Sequence, residues 1–323
     1  MRKTILLLSC LAVIFTAVTA VGAEYGVFIQ AAANADGTFD EVVQKCEEAL
    51  EAKGWQVVTS YDATAPPGCG FRAHTIVLHN EAYARKLLAR GPMAAFVLPP
   101  RVSVFEDESG INVAFVNPLS LSRTVLGDGI ADKLASQTAA ELSAILADAA
   151  GGKAVDRQLG QVRSKGRVGG MGGGDFGDKV KVIYEADASS ATSLEELATA
   201  VKKGIKADQK GWKLSYALNC IPQGVVILGA NKGATEAKAF TIASGKRARP
   251  ANSCPGIDHA AAFPIEVIVY QEGNAVKVAL LDEMYRMKVY FEDAGKWAFM
   301  KNMRMPGRVE KEIVTMVLSG LGQ

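Results

Sequence analysis

The sequence predicts an α+β fold made of two similar units, each an antiparallel β-sheet with helices packed on one face. Three features that occur twice along the chain carry this prediction. They are a capped amphipathic helix, a Gly-Trp pair that ends this helix, and a proline-led strand that opens a β-hairpin. Because hairpins outnumber strand–helix–strand crossovers, the pattern favours antiparallel over parallel sheets.

The N-terminal residues 1–23 have the pattern of a signal peptide. Arg2 and Lys3 precede an apolar run that ends in small residues, so the mature chain would begin at Glu24. An uncleaved anchor is the alternative, since roughly 19 apolar residues can span a bilayer. We therefore expect a periplasmic or secreted protein without stable membrane insertion after signal removal. An N-terminally anchored protein that faces the periplasm is the alternative.

The composition is that of an ordinary globular protein, with 49% hydrophobic and 22% charged residues. The net charge of +2 predicts no strong attraction to nucleic acid or to anionic lipid. Nucleic acid is therefore excluded as an expected partner, and the sequence identifies no other external partner.

The first unit, residues 24–150, begins with a predicted strand at residues 25–31. Thr38 and Glu41 then form a capping-box pattern, followed by apolar residues at helical spacing. The helix is predicted to end at Gly54, with Trp55 opening the next strand. Further strands and a closing helix follow at residues 75–78, 99–105, 112–116 and 139–149.

The second unit, residues 180–323, repeats this order. A strand at residues 180–185 precedes a capping box formed by Ser193 and Glu196, and Gly211-Trp212 ends the helix. The remaining predicted elements are a strand at 225–228, a hairpin at 264–270 and 276–280, and a helix at 309–318.

Residues 151–179, between the units, include a glycine-rich run at 169–174. A phosphate-binding loop requires a preceding strand, a following helix and a terminal Lys-Ser/Thr, none of which the pattern shows. The segment is therefore predicted to be a flexible linker.

The sequence resembles the family catalogued as domain of unknown function 302, in the tandem form carried by secreted bacterial proteins. The residues that carry the resemblance are the capped helix before Gly54-Trp55, Leu98-Pro99, Asn117-Pro118-Leu119, Ile227-Leu228-Gly229-Ala230-Asn231, Cys254-Pro255-Gly256-Ile257-Asp258-His259 and Phe263-Pro264-Ile265-Glu266. The resemblance implies compact α+β units of a kind that pairs as dimers. Two units in one chain would then form an internal pseudo-dimer, which is compatible with a monomeric protein. The family supplies no settled activity and no catalytic residues.

Four cysteines remain once Cys10 is removed with the signal. Cys46 lies on the apolar helix face and is predicted to be core. Spacing alone cannot choose among the pairings of four cysteines. We favour a Cys220–Cys254 disulfide, which leaves Cys69 free or paired between molecules.

The short segment 253–259 is absent from the first unit and concentrates the reactive side chains of the second. Our leading hypothesis is a binding module that holds a small molecule, a metal or haem near Asn231, Cys254, Asp258 and His259, with Cys254 and His259 as metal ligands. One alternative is a cysteine-dependent enzyme with Cys254 as nucleophile and His259 as base. Another is a structural or partner-binding protein with a Cys220–Cys254 disulfide. Of these hypotheses, we favour those in which the protein is not an enzyme.

Two further patterns are open to more than one interpretation. Glu266 on the proline-led strand corresponds to Arg101 in the first unit; a solvated position is expected, and an ion pair between units is the alternative. Five methionines late in the second unit make copper a second candidate cofactor, because thioethers suit Cu(I). Core packing is the favoured role for these methionines. The methionines are Met284, Met287, Met300, Met303 and Met305.

Overall fold

Two antiparallel β-sheets with associated helices form the protein, as seen in a computed structural model that describes residues 24–170, 172–187, 193–242 and 254–323. The predicted signal peptide, residues 1–23, and Ser253 lie outside the described residues. In the described ranges, no helix combines the length and the apolar composition needed to cross a bilayer.

The first unit contains ten regular elements among the described residues. They are β1 (Phe28–Ala33), α1 (Phe39–Ala52), β2 (Gln56–Asp62), β3 (Ala73–His79), α2 (Glu81–Leu88), β4 (Arg101–Asp107), β5 (Gly110–Val116), α3 (Pro118–Leu126), α4 (Asp132–Ala150) and β6 (Lys153–Leu159). A short 3₁₀ segment, Pro92–Val97, precedes β4.

The second unit repeats the series from β1 to α4 with one additional helix and has no counterpart of β6 among its described residues. Its described elements are β7 (Val180–Asp187), α5 (Leu194–Lys206), β8 (Lys213–Cys220), β9 (Val225–Asn231), α6 (Gly233–Phe240), β10 (Ile265–Glu272), β11 (Ala275–Leu281), α7 (Glu283–Phe291), α8 (Gly295–Lys301) and α9 (Arg304–Gly320). A 3₁₀ segment, Ile257–Ala262, precedes β10.

The two sheets share one strand connectivity. Their orders are β2-β3-β4-β5-β1-β6 and, read from the corresponding edge, β8-β9-β10-β11-β7. Each strand of the second sheet therefore occupies the place of its counterpart in the first, and β6 is an addition. The α+β prediction with two similar units is confirmed.

Equivalent side chains stabilise the first helix of each unit. Thr38 and Ser193 both accept from the backbone N–H three residues on, and Glu41 and Glu196 both accept from the cap backbone at 2.8 Å. Cys46 is buried on the apolar face of α1, as predicted, and burial raises the pKa of its thiol to about 12.

The tryptophan of each Gly-Trp pair connects the start of the following strand to the closing helix of its unit. Trp55 donates its indole N–H to Glu141 on α4 at 3.0 Å, and Trp212 donates to Glu312 on α9 at 2.9 Å. Both indoles are buried, so each hydrogen bond satisfies a donor that burial would otherwise leave unpaired.

The linker prediction for residues 151–179 is wrong in its first part. Lys153–Leu159 forms β6 and pairs with the open edge of β1. Most of its side chains point to solvent, so the strand lacks the apolar alternation that would have revealed it. Further along, the ring of Phe176 packs between Phe96 and Tyr285 and so contacts both units.

The units pair by reciprocal packing of their 3₁₀ segments. Ile257–Ala262 of the second unit packs on β3, β4 and β5, and Pro92–Val97 of the first packs on β9 and β10. Exchange of the same element in both directions is the geometry of a two-fold interface. The arrangement is that of an internal pseudo-dimer.

Candidate functional site

The predicted reactive segment lies in the interface between the units, and its cysteine is bonded to the first unit. Cys254 forms a disulfide with Cys69, with their Cα atoms 5.6 Å apart. The predicted Cys220–Cys254 pairing is therefore wrong, and Cys220 is a buried free thiol. Cys254 leads into a 3₁₀ segment that packs on the first unit, whereas Cys220 ends an edge strand of the second sheet.

The disulfide removes the chemistry that was proposed for Cys254. A cysteine acts as a nucleophile or as a soft metal ligand only in its thiolate form, and a sulfur in a disulfide is not a thiolate. The cysteine-dependent enzyme therefore lacks its nucleophile, and the proposed metal pair lacks one ligand. Within the described ranges, no group of three or more His, Cys, Asp or Glu side chains is arranged to hold a metal ion.

His259 is a buried ionic group. Its Nδ1 lies 2.7 Å from Asp258 Oδ1, and its Nε2 lies 3.1 Å from Asp293 Oδ1. The ring stacks on Phe291 at 5.0 Å between centroids and meets the edge of Phe28, from the first unit, at 5.1 Å.

The environment of His259 keeps the imidazole protonated. Burial alone would lower its pKa, but Asp258 and Asp293 outweigh that effect and raise the pKa to about 10. With both ring nitrogens donating to carboxylates, no lone pair is available for a metal or for an incoming proton. The proposed roles of His259 as base and as metal ligand are contradicted by this geometry.

A second buried ionic cluster lies where the two proline-led strands meet. Arg101 forms an ion pair with Glu266, and the two residues are only 1% and 7% exposed. Arg286 approaches both Glu266 at 3.8 Å and Glu283 at 3.9 Å. The expectation that Glu266 is solvated is wrong, and the alternative, an ion pair between units, is present.

Asn231 takes part in a different contact from the other predicted site residues. It ends β9 near Glu236, whose carboxylate accepts from the backbone N–H of Thr64 at 2.9 Å. Burial raises the pKa of Glu236, and hydrogen bonding to its carboxylate, that from Thr64 first, partly offsets the shift. The structure thus brings Cys254, Asp258 and His259 into the buried interface between the units.

An open groove of about 620 Å³ lies between α6 and the α8–α9 region of the second unit. Its floor contains Thr235, Met305 and Val309. In the described part of the chain, its charged lining consists of five cations and one acid: Lys232, Lys238, Lys301, Arg304, Arg308 and Glu312.

The single acid of this groove is already paired. Glu312 accepts from Lys232 at 2.7 Å and from Trp212, and it lies 3.8 Å from Arg308. Lys238, Lys301 and Arg304 are exposed, and no described carboxylate lies within ion-pair distance of them. The groove therefore has an uncompensated positive rim.

A small inner cavity of about 20 Å³ adjoins the groove and shares its floor residues. It is lined by Phe263, Phe291 and Met287 and reaches Glu283 and Arg286. Burial raises the pKa of Glu283 to about 7, with Glu310 and Asp282 adding to the shift and Arg286 opposing it. The volume is sufficient for one water-sized group.

The groove was missed because its cations are ordinary surface residues on three separate elements. One signal was available: residues 127–131 connect α3 to α4, whereas residues 292–303 connect the equivalent α7 and α9. The longer connection carries α8 and several groove residues.

Of the five methionines, Met287 is buried but Met300 and Met303 are exposed, so core packing is wrong for these two. Copper binding stays a prediction.

Residues 31–149, within the first unit, match the family profile described as "Domain of unknown function DUF302". The predicted resemblance is thus confirmed for the first unit, and the tandem form is not confirmed by the profile. No curated protein matches the sequence. The chain is also similar to the crystal structure of an "uncharacterized conserved protein DUF302 from Bacillus stearothermophilus", at 14% identity and a TM-score of 0.33, over 38% of this chain and 98% of that one.

Proposed function

We propose that the protein is an exported binding module that holds a small organic anion in the groove of its second unit. The observation that carries the proposal is the groove of about 620 Å³, with five cations and one paired acid in its described lining. Its volume falls within the range of ligand pockets, about 300–1,000 Å³.

The cations of the groove favour an anionic ligand, and its apolar floor favours a ligand that also has an apolar portion. Lys238, Lys301 and Arg304 line the groove, and no carboxylate among the described residues pairs with them. Arg can bind a carboxylate or phosphate through two parallel hydrogen bonds. Met305 and Val309 line the same groove and offer apolar contact. Haem belongs to this ligand class, since it carries two carboxylates on an apolar ring.

Two features support export. Residues 1–23 have the signal-peptide pattern, and Cys69 and Cys254 form a disulfide, which reducing cytosol disfavours. An exported protein reaches its ligand in the periplasm or outside the cell. A disulfide between the two units persists in that oxidising environment.

Isothermal titration calorimetry with citrate, inorganic phosphate, octanoate and haemin tests the proposal. We expect at least one probe to bind and Arg304→Glu to weaken it by about tenfold or more, because a charge-assisted contact becomes a repulsion. Lys133→Glu is the matched control, since it places the same charge reversal in the first turn of α4, the equivalent helix of the first unit. No binding by any probe, or equal binding by wild type and Arg304→Glu, contradicts the proposal.

A further inference from the structure

The longer connection of the second unit exposes apolar side chains as well as lining the groove. Trp297 on α8 is 76% exposed, and Met300 and Met303 are 43% and 42% exposed. By contrast, Trp55 and Trp212 are 2% and 3% exposed and donate hydrogen bonds to carboxylates. Because the first unit folds the same sheet without α8, the scaffold does not require these exposed side chains.

A basic segment follows the acidic pair at 292–293 and comprises α8 and the start of α9. Residues 295–308 contain four Lys or Arg and no Asp or Glu. Lys301, Arg304 and Arg308 are exposed there, within eleven residues of Trp297 along the chain. A net charge of +2 averages over the whole surface and conceals this local concentration of positive charge.

We propose that residues 295–308 dock the protein onto the surface of a membrane that contains anionic lipids. Trp is favoured at the level of lipid headgroups, and flexible methionines can enter the acyl boundary next to it. Lys and Arg around them are attracted to anionic headgroups. The docking is peripheral and places the mouth of the groove beside the lipid surface, since Lys301 and Arg304 belong to both.

A membrane fits this surface better than a folded protein partner. A stable protein–protein interface buries about 800 Å² on each partner, which three protruding side chains on and just after a short helix do not supply. An interfacial anchor requires only a few inserted side chains with cations around them. The cations of residues 295–308 attract anionic lipid locally, although the net charge of the whole chain is only +2.

Vesicle binding by the mature chain from Glu24, with no groove ligand added, tests the proposal independently of the proposed function. Vesicles of phosphatidylcholine alone are compared with vesicles that also contain phosphatidylglycerol. We expect co-sedimentation with the anionic vesicles only, together with a blue shift of Trp fluorescence and protection from acrylamide quenching. Trp297 reports this change because the other two tryptophans are already buried.

Two variants separate the contributions. Trp297→Ala removes the fluorescence change and lowers vesicle binding about tenfold, because the largest apolar contact is lost. This variant keeps the groove, which Trp297 does not line, so loss of vesicle binding with retained anion binding distinguishes docking from the proposed function. Arg304→Glu lowers binding by about fivefold or more, and Lys133→Glu leaves it unchanged.

Three results overturn the docking proposal. These are equal binding to both kinds of vesicle, an unchanged fluorescence spectrum on anionic vesicles, and wild-type affinity in Trp297→Ala. Binding of single-stranded DNA or of a protein partner in place of vesicles, with the same loss in Trp297→Ala, assigns the surface to that partner and also rejects the membrane.

Discussion

In the sequence, His259 has the pattern of a catalytic residue. In the structure it is buried between two acids, and its protonated ring is a structural charge. Its neighbour Asp258 is visible in the sequence, but Asp293 lies on the connection after α7 and Phe28 lies in the other unit. Sequence proximity therefore revealed one of the two carboxylates that fix its protonation. The second, which occupies the remaining ring nitrogen, depends on the fold.

The raised pKa of His259 predicts a specific pH dependence of stability. Its contribution is fully present below the unfolded value of 6.5 and is lost as the pH rises through about 10. We expect the free energy of unfolding of the wild type to fall across this window, and that of His259→Gln to lack this decline. Urea denaturation, followed by tryptophan fluorescence at a series of pH values, measures both.

The matched control for this experiment is His79→Gln in the first unit. Burial lowers the pKa of His79, so its contribution has the opposite sign and its loss leaves the alkaline decline in place. Parallel curves for the wild type and His259→Gln rule out the buried imidazolium. A direct NMR titration of the His259 ring gives the same answer without relying on stability.

At the scale of elements, the disulfide joins two loops that the sequence gives no reason to pair. Cys69 lies between β2 and β3, and Cys254 lies before the 3₁₀ segment that precedes β10. The choice of partner depends on which face of the first sheet receives that segment. Periodicity predicts amphipathic helices and hairpins well, but it contains no information on such long-range docking.

Loss of the Cys69–Cys254 bond should destabilise the protein by about 2–5 kcal/mol, since the bond closes a loop of 185 residues in the unfolded chain. Cys69→Ser and Cys254→Ser are expected to behave alike. Alkylation of the denatured, unreduced wild type should label Cys46 and Cys220 and spare Cys69 and Cys254. Labelling of Cys69 together with protection of Cys220 contradicts the assignment, and this readout does not depend on whether a variant folds.

At the scale of the whole molecule, duplication allows opposite charges to face each other across the pseudo-two-fold axis. Arg101 and Glu266 each lie two residues beyond the proline that opens their strand, so they are equivalent positions. In a symmetric dimer of either unit, such positions would present like charges to each other. We therefore infer that this buried pair favours association of the unlike units within one chain.

Charge exchange at these two positions tests that inference. Glu266→Arg should cost about 3–5 kcal/mol, because it leaves Arg101 and Arg286 without their shared acid. Adding Arg101→Glu should recover part of the loss, and Arg286 prevents full recovery. A double-mutant cycle of unfolding free energies measures the coupling. Strictly additive effects of the two substitutions show that the pair does not couple the units.

The fold was predictable from the sequence to a much greater extent than the site. Capping boxes, Gly-Trp pairs and proline-led hairpins are local signals, and their repetition predicted both sheets. Strand β6 escaped prediction because its polar side chains lie at an exposed sheet edge. The groove escaped because Lys238, Lys301 and Arg308 come from different helices and carry no motif.

Native mass spectrometry of the protein isolated from its own compartment tests most directly whether the second unit is a binding module for organic anions. We predict a bound small molecule in the wild type that is released on denaturation and is identified as an anion with an apolar portion. The same species should be present in Lys133→Glu and absent from Arg304→Glu. A wild-type protein that carries no ligand, or equal ligand occupancy in wild type and Arg304→Glu, contradicts the account.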